Sequence, residues 1–209
     1  MGTTAQASGR RTRSDGERSR AAILDAAARL ATIDGLDGLT IGRLADHIGM
    51  SKSGLYAHFG SKEELQLATV AAAEEVFDAD VIGPTEQAAP GLPRLDALSE
   101  GFMSHVQRGV FPGGCFFTSV ISEFDTRPGR VRDRVAAYIA TWLGRLRAEV
   151  VEAQRSGDLD AAADADQIVF EIQSALMMAN TLWVLSEAPA VFDRARTAIA
   201  GRIELSRPR

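Results

Sequence analysis

Thr40-Ile-Gly-Arg-Leu-Ala-Asp-His-Ile-Gly-Met-Ser-Lys-Ser-Gly-Leu-Tyr-Ala-His-Phe-Gly-Ser-Lys62 decides how the chain is read. Thr40 is of a type that caps a helix with its hydroxyl, and Ile41, Leu44, Ala45 and Ile48 follow at helical spacing. Gly49 falls where a left-handed residue ends such a helix. Ser51 is placed to cap a second helix whose Leu55 and Phe59, four apart, turn inward, which leaves Lys52, Ser53, Tyr56 and His58 outward. Two short helices joined by a tight turn, the second with small and polar side chains on its free face, form a helix-turn-helix whose second helix fits the major groove.

The flanks favour this reading over an ordinary helical hairpin. Residues 17–33 form an amphipathic helix with Ile23, Ala27, Leu30 and Ala31 inward, and Asp34-Gly35 stops it. Downstream, Ser61-Lys-Glu-Glu64 is a capping box that starts a long helix directly after the recognition helix. The chain here resembles the tetracycline-repressor (TetR) family of one-component bacterial regulators. The resemblance rests on Ile23-Leu-Asp-Ala-Ala27, Gly38-Leu-Thr-Ile41, Leu44-Ala45, Ile48-Gly-Met-Ser51, Gly54-Leu-Tyr-Ala-His-Phe59 and Ser61-Lys-Glu-Glu-Leu65, in that order and spacing. It covers about residues 17–70. Beyond residue 80, only the succession of helices and Gly113-Gly-Cys115 before a middle helix are familiar.

Composition fits a helical regulator. The net charge is −5, unevenly spread: residues 1–62 carry nine Lys/Arg against six Asp/Glu, and residues 63–209 carry 14 against 22. A basic end on an acidic body suits a protein that presents one end to phosphate. No run of 18 uncharged apolar residues is present, so no membrane span is expected. The N-terminal arginines lack a following apolar region, so no secretory signal is read there. The single cysteine, Cys115, cannot form an internal disulfide, which fits a cytoplasmic protein.

The segments divide into an expected disordered basic arm (1–14), a helix-turn-helix domain (15–62) and a larger helical effector-binding and dimerisation domain (63–209). The fourth helix is expected over 61–80. Gly83-Pro84, Pro90-Gly91 and Pro93 then make 81–93 a linker. Further helices are expected at 93–110, 115–125, 128–155, 164–186 and 190–206. No alternating pattern of strand length occurs, so the fold class is all-α.

Enzyme signatures are missing. His47, His58 and His105 are not at metal-ligand spacing, and neither a Walker A loop nor Gly-x-Gly-x-x-Gly is present. Gly49-Met-Ser51-Lys-Ser53 lacks the last glycine of a nucleophile elbow and the strand before it. Cys115 with His105 is the remaining nucleophile pair to weigh, and a buried structural thiol is the plainer reading. The chain is therefore read as no enzyme, with no cofactor and no metal.

Candidate DNA contacts are Lys52 and Ser53 to bases, and Gly54, which lets the backbone approach the duplex. Tyr56, His58, Thr40 and Lys62 are candidate phosphate contacts, and Ser51 serves as cap and groove contact. Tyr56 and His58 enter as the family uses them. In the second domain Phe102, His105, Phe117, Ile121, Phe124, Trp142, Gln173, Met177 and Asn180 are the candidate lining of a small-molecule site, aromatic bulk with a few polar groups.

Homodimerisation is expected through residues 164–206. The surfaces proposed are Ile168, Ile172, Ala175, Ala179 and Leu182 on one helix and Val191, Ala195, Ala198, Ile199 and Ile203 on the next. Two helices from each subunit would meet about a two-fold axis, which resembles the family's arrangement. The reading is a dimeric repressor of a near-palindromic operator, released by a small, mainly apolar ligand. A helical ligand-binding protein or enzyme with a vestigial helix-turn-helix, and a DNA binder without effector, stay open at this point.

Overall fold

The protein is described by a computed structural model covering residues 4–124, 126 and 128–208, with side chains from Arg18 onward. The elements are helices α1 (Thr4–Asp34), α2 (Ile41–Ile48), α3 (Lys52–Phe59) and α4 (Lys62–Phe77), a π-helical turn (Asp78–Ile82), and helices α5 (Gly83–Thr85), α6 (Leu92–Gln107), α7 (Phe116–Phe124), α8 (Arg130–Ser156), α9 (Ala165–Ser186) and α10 (Ala190–Leu205). No strand occurs among the described residues.

The first domain closes around side chains that the helical period selects. Ile23, Ala27 and Ala31 of α1 meet Leu36 and Leu39 of the turn, Leu44 of α2, Leu55 and Phe59 of α3 and Leu65 of α4, all buried. Two polar ties fix this packing. The Arg20 guanidinium lies 4.6 Å over the Phe59 ring and donates to the His58 carbonyl at 2.9 Å. The buried Gln66 side chain donates to the Leu36 carbonyl at 2.7 Å.

Two segments differ from expectation. Residues 4–14, expected to be without regular structure, are the first turns of α1; the side chains of Arg10, Arg11 and Arg13 lie outside those described. Once the packed turns around Ile23 exist, extending a helix needs no new nucleus, and Ala, Gln and Arg are good helix formers. The stretch from residue 81 stays helical to Thr85, with Val81, Ile82 and Thr85 buried, so it is no solvated linker. Pro84 has no N–H for the Asp80 carbonyl and its ring crowds that carbonyl. The chain answers by widening, and the Gly83 N–H reaches back five residues to the Asp78 carbonyl.

The second domain is built on α8 and α9, with α4, α6, α7 and α10 packed around them. Phe77, the last residue of α4, sits at its centre, with Phe102, Phe117, Tyr138 and Trp142 around it at ring separations of 5.3–6.2 Å, all edge-on. Helix α9 reaches a mean hydropathy of 1.4 over 18 residues, enough by length and composition to cross a membrane. That window is one-third buried, and the helix packs against α6, α8 and α10, leaving one apolar face uncovered.

Candidate nucleic-acid interface and effector cavity

The caps read from the sequence set the helix-turn-helix geometry. The Thr40 hydroxyl accepts from the Arg43 N–H at 3.2 Å, and Gly49 ends α2 at φ +69°, where the Met50 N–H reaches the Ala45 carbonyl at 3.0 Å. The Ser51 hydroxyl accepts from the Gly54 N–H at 3.1 Å and so starts α3. Leu55 and Phe59 face the core, and Ser51, Lys52, Ser53 and Tyr56 are exposed. His58 differs from the outward direction expected. It is half-buried beside Phe59, in a cleft shared with Arg20, Glu64 and Arg134.

The cations of this face are held only loosely. Lys52 Nζ is 3.9 Å from Asp46, both side chains about 70% exposed, and Lys62 Nζ is 3.2 Å from Asp37. Such surface pairs are worth about 0–1 kcal/mol. Exposed Arg43 of α2, which the sequence reading did not single out, bonds Asp34 at 2.6 Å. Gly54 has an ordinary helical backbone. A Cβ there would stand 3.0 Å from the Ser51 hydroxyl, so a side chain would crowd the cap and the surface α3 presents.

In the second domain an apolar cavity of about 190 Å³ opens between α6, α7, α8 and α9. Phe102, Phe117, Ile121, Trp142, Gln173 and Met177 line it, as expected from the sequence. Cys115, Thr118, Tyr138, Ile139 and Leu143 line it as well and were missed. The last three flank Trp142 at helical spacing on α8, a signal that was there to use. Trp142 Nε1 donates to Gln173 Oε1 at 2.8 Å, so the Gln173 carbonyl oxygen is engaged and its NH₂ group can still donate. Tyr138 stacks on Phe117 at 4.2 Å and donates to Asp78 at 2.8 Å; burial and that carboxylate push its phenol far above the usual range. Burial also pushes the Cys115 thiol up, which keeps it protonated and a poor nucleophile.

Three expected lining residues are elsewhere. His105 is buried with Nδ1 2.6 Å from Asp80, which also takes both 2.7 Å bonds from Arg108. Burial holds His105 below its ordinary value, and its Nε2 is buried without a partner. The Asn180 carbonyl oxygen accepts from the Cys115 N–H at 2.8 Å, at the start of α7. Phe124 packs at the end of α7 beside Val131. All three are polar or bulky residues used for packing between helices, which composition does not separate from lining. A larger groove of about 430 Å³ between α6 and α10 is edged by Asp96, Glu100, Arg196, Glu204 and Arg207, with Arg196 already paired to Glu100 at 2.7 Å. Among the described residues no cluster of His, Cys, Asp and Glu could hold a metal.

The side chains expected at a dimer surface are largely inside the subunit: Ile168, Ile172, Ala179, Val191, Ala195 and Ile199 are buried. The uncovered face of α9 is instead Phe170, Ser174, Met178, Thr181 and Leu185, and beside it α10 exposes Arg194, Ala198, Gly201 and Leu205. Both sets recur every three or four residues.

Comparison with known proteins agrees with this architecture. Residues 23–69 match the family described as bacterial regulatory proteins, tetR family, and residues 91–199 match the tetracyclin repressor-like C-terminal domain. A TetR transcriptional regulator from Chloroflexus aurantiacus is 26% identical, with a TM-score of 0.83 over 92% of this chain and 97% of its own. A putative TetR-family regulator from Rhodococcus sp. gives 0.74 at 21% identity, over 90% and 97%. AibR, solved in complex with isovaleryl coenzyme A and operator DNA, gives 0.70 at 23% identity, over 90% and 98%. The chain has no significant sequence match among curated proteins. The two domain matches, joined in this order on one helical chain, make the protein a member of the TetR family and a DNA-binding transcriptional regulator.

Proposed function

We propose that the protein is a cytoplasmic, homodimeric repressor that binds a near-palindromic operator and leaves it when a small, uncharged, mainly apolar ligand enters the cavity between α6, α7, α8 and α9. The observation that carries this is the pairing of an exposed, cap-defined α3 with an apolar cavity in the neighbouring domain. Lys52 and Ser53 read bases, with Gly54 allowing close approach. Thr40, Ser51, Tyr56, His58 and Lys62 hold the backbone, His58 after its ring turns out of its cleft. No charged side chain lines the cavity among the described residues, so a charged ligand would lose its hydration without a partner. The Gln173 amide and Thr118 hydroxyl supply polar recognition. That AibR is seen with both a ligand and operator DNA supports one fold serving both tasks here.

The uncovered faces of α9 and α10 support dimerisation through these two helices. A two-fold axis there would set the two α3 helices for half-sites one DNA turn apart, roughly 34–36 Å. Domain limits of 15–62 and 63–209 go with this reading. A duplex selected from random DNA by the protein tests it. The selected site should be an inverted repeat retarded as a dimer complex, and uncharged aromatic compounds should release it. A site without two-fold symmetry, or release by charged compounds only, would overturn the reading.

A further inference from the structure

We infer that Glu123 is the positioning residue that ties α7, one wall of the cavity, to the turn between α1 and α2; the inference rests on the reading of the cavity as an effector site. One side of α7 is cavity wall, formed by Phe117, Thr118 and Ile121. The α7 segment also grips the end of α1 and the turn that follows it. Before the helix, the Gly113 N–H donates to the Thr32 hydroxyl at 3.1 Å, and the backbones are so close that a Cβ on Gly113 would stand 2.0 Å from the Thr32 carbonyl oxygen.

At its other end, the Glu123 carboxylate accepts from the Leu36 N–H at 3.1 Å and the Asp37 N–H at 2.8 Å. Gly35, at φ +82°, makes room for it: a Cβ there would lie 2.8 Å from Glu123 Oε2. These two N–H groups belong to the turn between α1 and α2. Leu36 and Leu39 of that turn are buried in the helix-turn-helix core, Gln66 of α4 holds the Leu36 carbonyl, and Asp37 pairs with Lys62 at the start of α4. One carboxylate from the effector domain therefore holds the turn from which α2 and α3 hang. Hydrogen bonds to an ionised acceptor are strong and directional, so a shift of α7 by a fraction of an ångström either drags the turn or breaks the pair. Ile121, two residues before Glu123 on this short helix, is where a ligand would push.

The test uses the full chain and a duplex selected by the wild type, with Thr118→Trp filling the cavity in place of a ligand. Thr118→Trp should weaken duplex binding tenfold or more in the wild type and less than threefold when Glu123→Gln is also present. It should also speed hydrogen exchange at the Leu36 and Asp37 amides. If Thr118→Trp loses helicity, Ile121→Trp takes its place. Equal losses with and without Glu123→Gln, unchanged affinity in the wild type, or unchanged exchange at the two amides would overturn the inference. Because a side chain fills the cavity, this coupling stands or falls separately from whether a ligand is found.

Discussion

Replacing Met178 by aspartate tests the proposed subunit face at its centre. Met178 is 56% exposed, and Phe170 and Leu185 on the same stripe are 67% and 77% exposed. Fully burying such a side chain stabilises by about 1.5–3 kcal/mol, so covering the exposed half of Met178 contributes about 1 kcal/mol per subunit, counted twice by symmetry. Met178→Asp removes that and sets two carboxylates into an apolar interface. At about 1–3 kcal/mol for each polar group buried without a partner, the total loss is about 4–8 kcal/mol, or roughly a thousandfold or more in the dimer dissociation constant.

Sedimentation equilibrium at micromolar concentration should then report a 22.3 kDa monomer where the wild type is twice that mass. Thermal stability of the subunit should change little, since the side chain is outside its core, and specific DNA binding should fall with the dimer. Ile33→Asp, an equally exposed apolar site on α1 (65%), should leave the mass unchanged. A Met178→Asp protein that stays dimeric at 1 μM, or an equal effect of Ile33→Asp, would refute the reasoning.

Lys52→Ala should cost about 1–3 kcal/mol on the selected operator and much less on random DNA, whereas Lys62→Ala should weaken both alike and reduce the salt slope by about one; titrations at several salt concentrations separate the two. Gln173→Trp should fill the cavity, removing the Trp142 bond and the ligand's space together, so that ligand affinity by calorimetry drops below detection. Deleting residues 1–13 should lower operator affinity at low salt and leave the melting temperature unchanged, if the arginine-rich arm follows phosphates. Burial holds His105 below its ordinary value of 6.5, so the unfolded chain takes up a proton there more readily than the fold does. Stability should therefore fall as pH drops below about 6.5, and His105→Gln should flatten that dependence in thermal melts between pH 7.5 and 5.5.

The helix-turn-helix was legible in the sequence because its determinants are local. Thr40, Gly49 and Ser51 each act within four residues of themselves, and Leu55 and Phe59 sort inward by period alone. The same logic placed the helix boundaries of the second domain to within a few residues, and the two-domain order with them. It did not carry to contacts made across helices. Phe102, Trp142 and Gln173 were found as bulky or polar residues on one side of their helices, but Tyr138 and Thr118 became cavity lining only when α7, α8 and α9 packed. His105 and Asn180 went to Asp80 and to the Cys115 N–H, partners 25 and 65 residues away. Helix α9 is apolar on more than one side, so its periodicity alone could not say which stripe its own domain would cover. The core took Ile168, Ile172 and Ala179 and left Phe170, Met178 and Leu185 outside. What the sequence by itself determined was the local geometry of the helix-turn-helix and an all-helical body. Which apolar side chains bury, which line a cavity and which stay exposed was decided by tertiary packing, because burial is a property of neighbours distant in sequence.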